Sequence, residues 1–233
     1  MNSCMKFLFS TLCPFCEKPV TPGDFLCESC RKKLTSYQKL PKCPLCGRTV
    51  VTTGICNVCE ENSPKFDLAI SCQGYHDVFK DGLLAYKFRR EFYRAKGFSR
   101  LMTETFRKLG VCADCITAVP SDPFTVSKRG YNSSLELAFP MKKLLKLPFY
   151  PTLLRKKWFV KRQATLNRKE RLENVKGNFC FSKRFSKRIA GKRILLVDDV
   201  MTTGATVNEC CKLLKKNGAK EVYVVTLLGN NPN

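Results

Sequence analysis

The chain has a single histidine, a single tryptophan, few acidic residues and no long apolar run. No stretch approaches the ~18 consecutive apolar residues that a spanning helix needs, so no membrane insertion is expected. Met5 to Leu12 is apolar for only a few residues and runs straight into Cys13. It lacks an h-region and a small-residue cleavage site, which argues against a secretory signal and for a cytoplasmic protein. The lone histidine, His76, reads as a turn or strand-end residue. Against 42 Lys and Arg stand only 19 Asp and Glu, a formal net charge of +23. A field of that sign draws polyanions. With 233 residues, 44% of them apolar, there is room for one ordinary domain and a smaller module.

Cysteine, by contrast, is abundant. Eight of the 15 cysteines form four Cys-x₂-Cys pairs: Cys13/Cys16, Cys27/Cys30, Cys43/Cys46 and Cys56/Cys59. Prolines and glycines around each pair supply turn chemistry, and the segment has too few long apolar side chains to fold by burial alone. Two Cys₄ zinc sites would make up the deficit, because thiolate binding is coupled to folding. The spacing permits sequential grouping of the pairs, or crossed grouping of first with third and second with fourth. No open coordination position is implied, so the zinc reads as structural. The other cysteines, among them Cys112 and Cys115, read as small core residues.

Beyond Phe66 the texture changes. Strands are predicted at 67–75, 116–120 and 221–228, and helices at 77–90, 97–109 and 133–147, the last interrupted or bent at Pro140. In the first helix Leu83, Leu84, Tyr86 and Phe88 are expected to face inward. Alternation of this kind predicts a parallel α/β sheet flanked by helices over residues 63–233, preceded by a zinc-ribbon module over 1–62.

The most informative stretch is Arg193 to Thr206. A short apolar run ends in Asp198-Asp199, a Thr/Gly loop follows, and helical spacing resumes from Val207. Backbone N–H groups of Thr202, Thr203, Gly204, Ala205 and Thr206 at a helix start suit a phosphate. The two carboxylates suit vicinal ribose hydroxyls, directly or through hydrated Mg²⁺. This segment resembles the phosphoribosyl pyrophosphate (PRPP) signature of type I phosphoribosyltransferases.

A wider resemblance covers nearly the whole chain. The four cysteine pairs, Tyr75-His76-Asp77 with Lys87-Phe88, Lys128-Arg129-Gly130-Tyr131-Asn132 and Arg171-Leu172-Glu173-Asn174-Val175 together look like the ComF family of competence proteins. That resemblance implies a double zinc ribbon on a type I phosphoribosyltransferase-like domain. It also implies a cytosolic role in natural transformation beside a helicase-like partner, as single-stranded DNA enters. Catalysis, if present, would be assigned to Asp198 and Asp199, with pyrophosphate near Ser121, Lys128 and Arg129. The chain departs from the family at Ser121-Asp122-Pro123, where an acid repels pyrophosphate unless Mg²⁺ bridges them.

Two functions stay open at this level. One is an active Mg-dependent phosphoribosyltransferase whose acceptor the sequence does not name. The other is a DNA-handling module in which PRPP or a related sugar phosphate is bound. Basic clusters at 155–162 and 183–193, with Trp158, Phe159 and Phe185 among them and Phe181 just before the second, suit stacked bases and neutralised phosphates.

Overall fold

The computed structural model describes residues 11–157 and 177–229. Helix α1 (Glu28–Gln38) and the short α2 (Asn57–Glu61) belong to the cysteine-rich segment. There follow β1 (Leu68–Gly74), α3 (Asp77–Phe88), α4 (Tyr93–Arg107), β2 (Cys115–Ala118), α5 (Pro123–Arg129) and α6 (Ser133–Leu145). The chain continues through β3 (Leu154–Lys156), β4 (Phe179–Phe181), α7 (Ser186–Ile189), β5 (Arg193–Met201), α8 (Ala205–Lys216) and β6 (Glu221–Gly229).

Strands β1, β6, β5 and β2 form one sheet in that order, with every pairing parallel. Strand residues therefore alternate between two cores. Leu195, Val197, Val225 and Leu227 meet Leu83, Tyr86, Phe98, Met102, Leu137 and Met141 from α3, α4 and α6. Ile194, Leu196, Val222 and Val224 meet Val207, Cys210, Cys211 and Leu214 of α8, together with Leu153 and Phe179 of the β3–β4 hairpin region.

The cysteine-rich segment straddles the edge strand β1. Phe15, Leu26 and Leu34 join the first core, whereas Cys43, Cys46, Cys56 and Cys59 join the second. Between them, the Ala69 N–H on the open edge of β1 donates to the Leu45 carbonyl at 2.8 Å. An edge strand presents unpaired N–H groups that invite wrong partners, and here a cysteine knuckle covers one of them.

The α/β expectation holds in its elements, with four differences. Helix α4 begins at Tyr93, four residues before the expected start. Helix α6 runs through Pro140 without a break. Residues 123–129, for which no element is predicted above, are helical, because Asp122 caps α5 and Pro123 sits at its first position. Phe88 is 69% exposed, since it lies on the last turn of α3, past the end of the packed face held by Leu83 and Tyr86.

Candidate functional site

The sheet is parallel, so β2 and β5 end on the same side, where α/β folds leave a crevice for ligands. Val119, just past β2, still donates to the Val197 carbonyl at 2.9 Å. This brings Ser121 to the same end as Asp198 and Asp199, as the sequence predicts.

Both aspartates are nearly buried. Asp198 accepts from Ser134 Oγ at 2.8 Å and from the Asp199 N–H at 2.8 Å. Asp199 accepts from Lys87 Nζ at 2.6 Å and, through its other oxygen, from Ser133 Oγ. Burial, then the neighbouring Asp199 charge, pushes the Asp198 carboxyl up to about 7. The α6 N-terminus supplies both serines, and its positive end favours the anions it faces.

The Arg129 to Asn132 run is the device that aims α6. Gly130 ends α5 at φ +89°, a left-handed conformation that glycine adopts without strain. The Tyr131 hydroxyl then donates to the Tyr86 and Lys87 carbonyls. Asn132 caps α6 by accepting from Ser134 N at 2.9 Å, while its amide donates to the Val119 carbonyl at 3.1 Å. One short motif thus ties α3, β2 and α6 together around the acid pair.

On the far side of the pair, β5 runs into the Thr202–Gly204 turn, with Gly204 at φ +78°, and α8 starts at Ala205. Thr203 Oγ1 accepts from the Ala205 N–H at 3.4 Å. Thr202 is exposed, and Thr203 to Thr206 are half-buried. The Thr202 carbonyl accepts from Arg48 Nη2 at 3.1 Å, a cation delivered by the cysteine-rich segment.

The pyrophosphate candidates divide. Arg129 comes close to the pair, stacking 5.2 Å from Phe88 and 5.7 Å from Tyr131 and donating to Ser133 Oγ at 3.4 Å. Lys128, one residue earlier on α5, is exposed. Asp122, the acid at odds with the family pattern, caps α5 and lies 3.5 Å from Lys156 Nζ, so its charge is largely offset. His76 occupies the N-cap position of α3 without a side-chain capping bond, and its Nδ1 lies 3.2 Å from Asp77 Oδ2.

Sequence reasoning missed Lys87, Ser133 and Ser134 as site residues. The serines carried a signal: they follow Asn132 at a helix start, where their hydroxyls and N–H groups face outward along the axis. Lys87 belongs to the Lys87-Phe88 pair that carries part of the family resemblance, but nothing local in the sequence gives it a role beside the acid pair.

The eight paired cysteines form two sequential groups. Cys13, Cys16, Cys27 and Cys30 lie with their sulfurs within 4.8 Å of one another, as do Cys43, Cys46, Cys56 and Cys59. Sulfur separations of 3.4 Å (Cys16–Cys27), 3.7 Å (Cys16–Cys30) and 3.6 Å (Cys46–Cys56) exclude disulfides. They approach the ~3.8 Å edge of a tetrahedron with 2.3 Å zinc–sulfur bonds, so the donor sets fit two structural zinc ions. Of the remaining cysteines, Cys72, Cys115, Cys210 and Cys211 are core residues, Cys112 and Cys180 are exposed, and Cys4 lies outside the described residues.

The proposed stacking clusters fare differently. Phe185 is buried beneath Arg184, and Arg193 is tied to Asp114 at 2.9 Å. Trp158, Phe159, Lys161 and Arg162, with the Arg171 to Val175 motif, lie outside the described residues. Among the described residues no helix is long and apolar enough to cross a membrane.

A parallel sheet with an acid pair and a helix-capping loop at its carboxyl edge, preceded by two Cys₄ groups, defines a phosphoribosyltransferase-type domain on a double zinc ribbon. Family models agree: a double zinc ribbon domain matches residues 4–60 and a phosphoribosyl transferase domain matches 144–232. The chain is 29% identical over 206 residues to Competence protein F of Haemophilus influenzae, covering 85% of this chain and 88% of that protein. It is 28% identical to the DNA utilization protein YhgH of Escherichia coli over 91% of this chain and 94% of that one. To Competence protein ComFC of Streptococcus pneumoniae it is 28% identical over 80% of this chain and 99% of that protein. With its double zinc ribbon followed by a phosphoribosyltransferase-type domain, the chain is similar over most of its length to the ComF family of competence proteins.

Proposed function

We propose that this protein handles incoming single-stranded transforming DNA in the cytoplasm and binds PRPP, or a related sugar phosphate, at the carboxyl edge of its sheet. The observation that carries the reading is the convergence of Asp198, Asp199 and the 202–206 loop on one crevice of a chain whose full-length relatives are named for competence and DNA utilization. In this reading the loop takes the 5′-phosphate and the aspartates take the ribose hydroxyls. Pyrophosphate lies toward Ser121, Arg129 and Lys128. Asp198 and Asp199 have the hard oxygen ligands that Mg²⁺ prefers, and the ion would offset pyrophosphate charge. A helicase-like competence protein is the expected macromolecular partner.

The surface beside the crevice suits a single strand better than the basic clusters at 155–162 and 183–193. Phe88, Phe92 and Tyr93 are exposed by 69%, 46% and 50%, and the exposed Arg89 and Arg90 lie among them. Phe92 packs 4.7 Å from Tyr131, which links this surface to the α6 brace. Exposed rings among arginines suit bases and phosphates of a single strand. Affinity for a single-stranded oligonucleotide is expected to fall steeply with salt, by a log–log slope of about −0.7 per neutralised phosphate. Phe88→Ala should weaken binding about tenfold. A flat salt response in fluorescence anisotropy would remove phosphate neutralisation as the mechanism.

The competing reading, an active phosphoribosyltransferase, is favoured by the offset charge of Asp122. An acceptor would attack C1 of the ribose while the bond to pyrophosphate breaks and pyrophosphate departs with the bond's electron pair. Positioning and stabilisation of leaving-group charge would supply most of the rate. Pyrophosphate release on incubation with PRPP and candidate acceptors tests it directly.

Ligand binding should also be pH-dependent. The raised Asp198 carboxyl means that, between the ordinary carboxylate range and about pH 7, the folded state holds a proton the unfolded chain has lost. Stability from this group therefore declines as pH rises through that window and is level above it. Ribose hydroxyls need the ionised form as acceptor, so PRPP affinity is expected to rise toward pH 8 with proton release. Calorimetry in buffers of different ionisation enthalpy, compared with Asp198→Asn, separates this proton from those of the ligand. Equal proton release in the variant would count against it.

A further inference from the structure

The second Cys₄ module reaches across the edge of the sheet to the phosphate loop, although the two are far apart in sequence. Arg48 lies two residues after Cys46 and donates through Nη2 to the Thr202 carbonyl at 3.1 Å, across 154 residues. Its Nε is buried, and the Thr202 carbonyl is the hydrogen-bond acceptor that the guanidinium finds among the described residues. A second tie lies one helical turn further on, where the Lys65 N–H donates to the Asn208 carboxamide in the first turn of α8. The loop is thus tied to the second module at Arg48, and the helix start to the segment just after that module at Lys65.

The module has little freedom to move away. The Cys43 N–H donates to the Arg48 carbonyl at 2.8 Å, closing the knuckle. Gly47 sits against β1 at φ +67°, where a Cβ would come within 2.8 Å of the Ala69 carbonyl oxygen. The Ala69 N–H in turn donates to the Leu45 carbonyl at 2.8 Å. These contacts fix the Arg48 backbone against the sheet, so its guanidinium has a defined position relative to the end of β5. The loop itself has few internal ties, the Thr203 Oγ1 contact at 3.4 Å being long. Its shape is set from outside.

We infer that the second Cys₄ module is part of the sugar-phosphate site, with Arg48 acting as a positioning residue that holds Thr202 and so shapes the 202–206 loop for a 5′-phosphate. The inference rests on the sugar-phosphate reading of that loop. A loop whose N–H groups are already aimed loses less freedom on binding, and a guanidinium beside it adds favourable charge. The zinc ion expected in this module acts at a distance, by keeping the knuckle folded.

The test is calorimetric titration of the full zinc-loaded chain and its Arg48→Gln variant with ribose 5-phosphate, inorganic pyrophosphate and PRPP. Ribose 5-phosphate and PRPP affinities are expected to fall about tenfold in the variant, as for loss of one charge-assisted hydrogen bond. Pyrophosphate affinity and zinc content should stay level, and Arg48→Lys should recover part of the loss. Should Arg48→Gln lose zinc, Asn208→Ala removes the other tie without touching the knuckle and is expected to weaken ribose 5-phosphate about threefold. Unchanged ribose 5-phosphate binding in Arg48→Gln, or equal loss for pyrophosphate, overturns the inference. A native protein that binds none of the three ligands overturns the sugar-phosphate reading itself.

Discussion

Stripping zinc with a strong chelator is expected to unfold the sheet domain together with the ribbons, in one transition. The reason is that the first ribbon has no separate core. Phe15, between Cys13 and Cys16, is 3% exposed and packs 4.7 Å from Phe79 and 4.9 Å from Phe98, in the cluster that includes Leu195 and Val225 of the sheet. The facing helices are shaped around it. A Cβ at Gly82 would meet Phe15 Cα at 2.8 Å, and one at Gly97 would meet Pro14 Cγ at 2.8 Å. Arg94, 2% exposed, donates to the Pro14 carbonyl and pairs with Glu17 and Glu91.

When the thiolates lose their metal, the knuckle loses the link that closes it, and Phe15 and the partners of Arg94 go with it. A cavity and a half-unpaired buried cation remain. Phe15→Ala alone, with zinc retained, should cost about 3–5 kcal/mol, a large part of a domain's typical 5–15 kcal/mol. That corresponds to a fall in Tm of roughly 10 °C for a chain of this size. Hydrogen exchange across 193–201 after chelation is the measurement. Strand amides that keep full protection would show that the sheet stands without the ribbons.

Asp199→Ala is expected to abolish PRPP binding, a loss of about a hundredfold or more, while zinc content is unchanged. The carboxylate is the acceptor proposed for a ribose hydroxyl, and it also holds Lys87 at 2.6 Å and Ser133. Removing it leaves the Lys87 ammonium, whose side chain is 19% exposed, facing Asp198 across a widened pocket. Some stability is lost as well, because a mostly buried ion pair is broken from one side. Asp199→Asn keeps the shape and one acceptor oxygen, and should bind PRPP more weakly than the native protein but better than the alanine variant. Calorimetry with PRPP and Mg²⁺ reads all three proteins. Native-like binding in Asp199→Ala would dispose of the pocket.

The sequence by itself determined what short-range pattern can carry. The apolar run of β5, its terminal Asp198-Asp199, the Thr/Gly turn and α8 are contiguous, so periodicity and turn chemistry announce them together. The Cys-x₂-Cys pairs are legible for the same reason, since each knuckle is closed within a few residues. The order of the main strands and helices followed from their alternation, whereas the short α5, set by its Asp122 cap, and the early start of α4 at Tyr93 did not.

Only the tertiary structure decided the rest. Spacing left the cysteine grouping open between two patterns, and packing on opposite faces of β1 made it sequential. Lys87 and Asp199 are 112 residues apart, and Arg48 and Thr202 are 154 apart. No local signal links such residues, because their meeting depends on the strand order β1-β6-β5-β2. That order brings the end of α3, the start of α6 and a ribbon knuckle to one edge of the sheet. It also decided that Phe15 belongs to the sheet's core and Phe88 to the surface, since burial depends on what the whole chain places opposite a side chain.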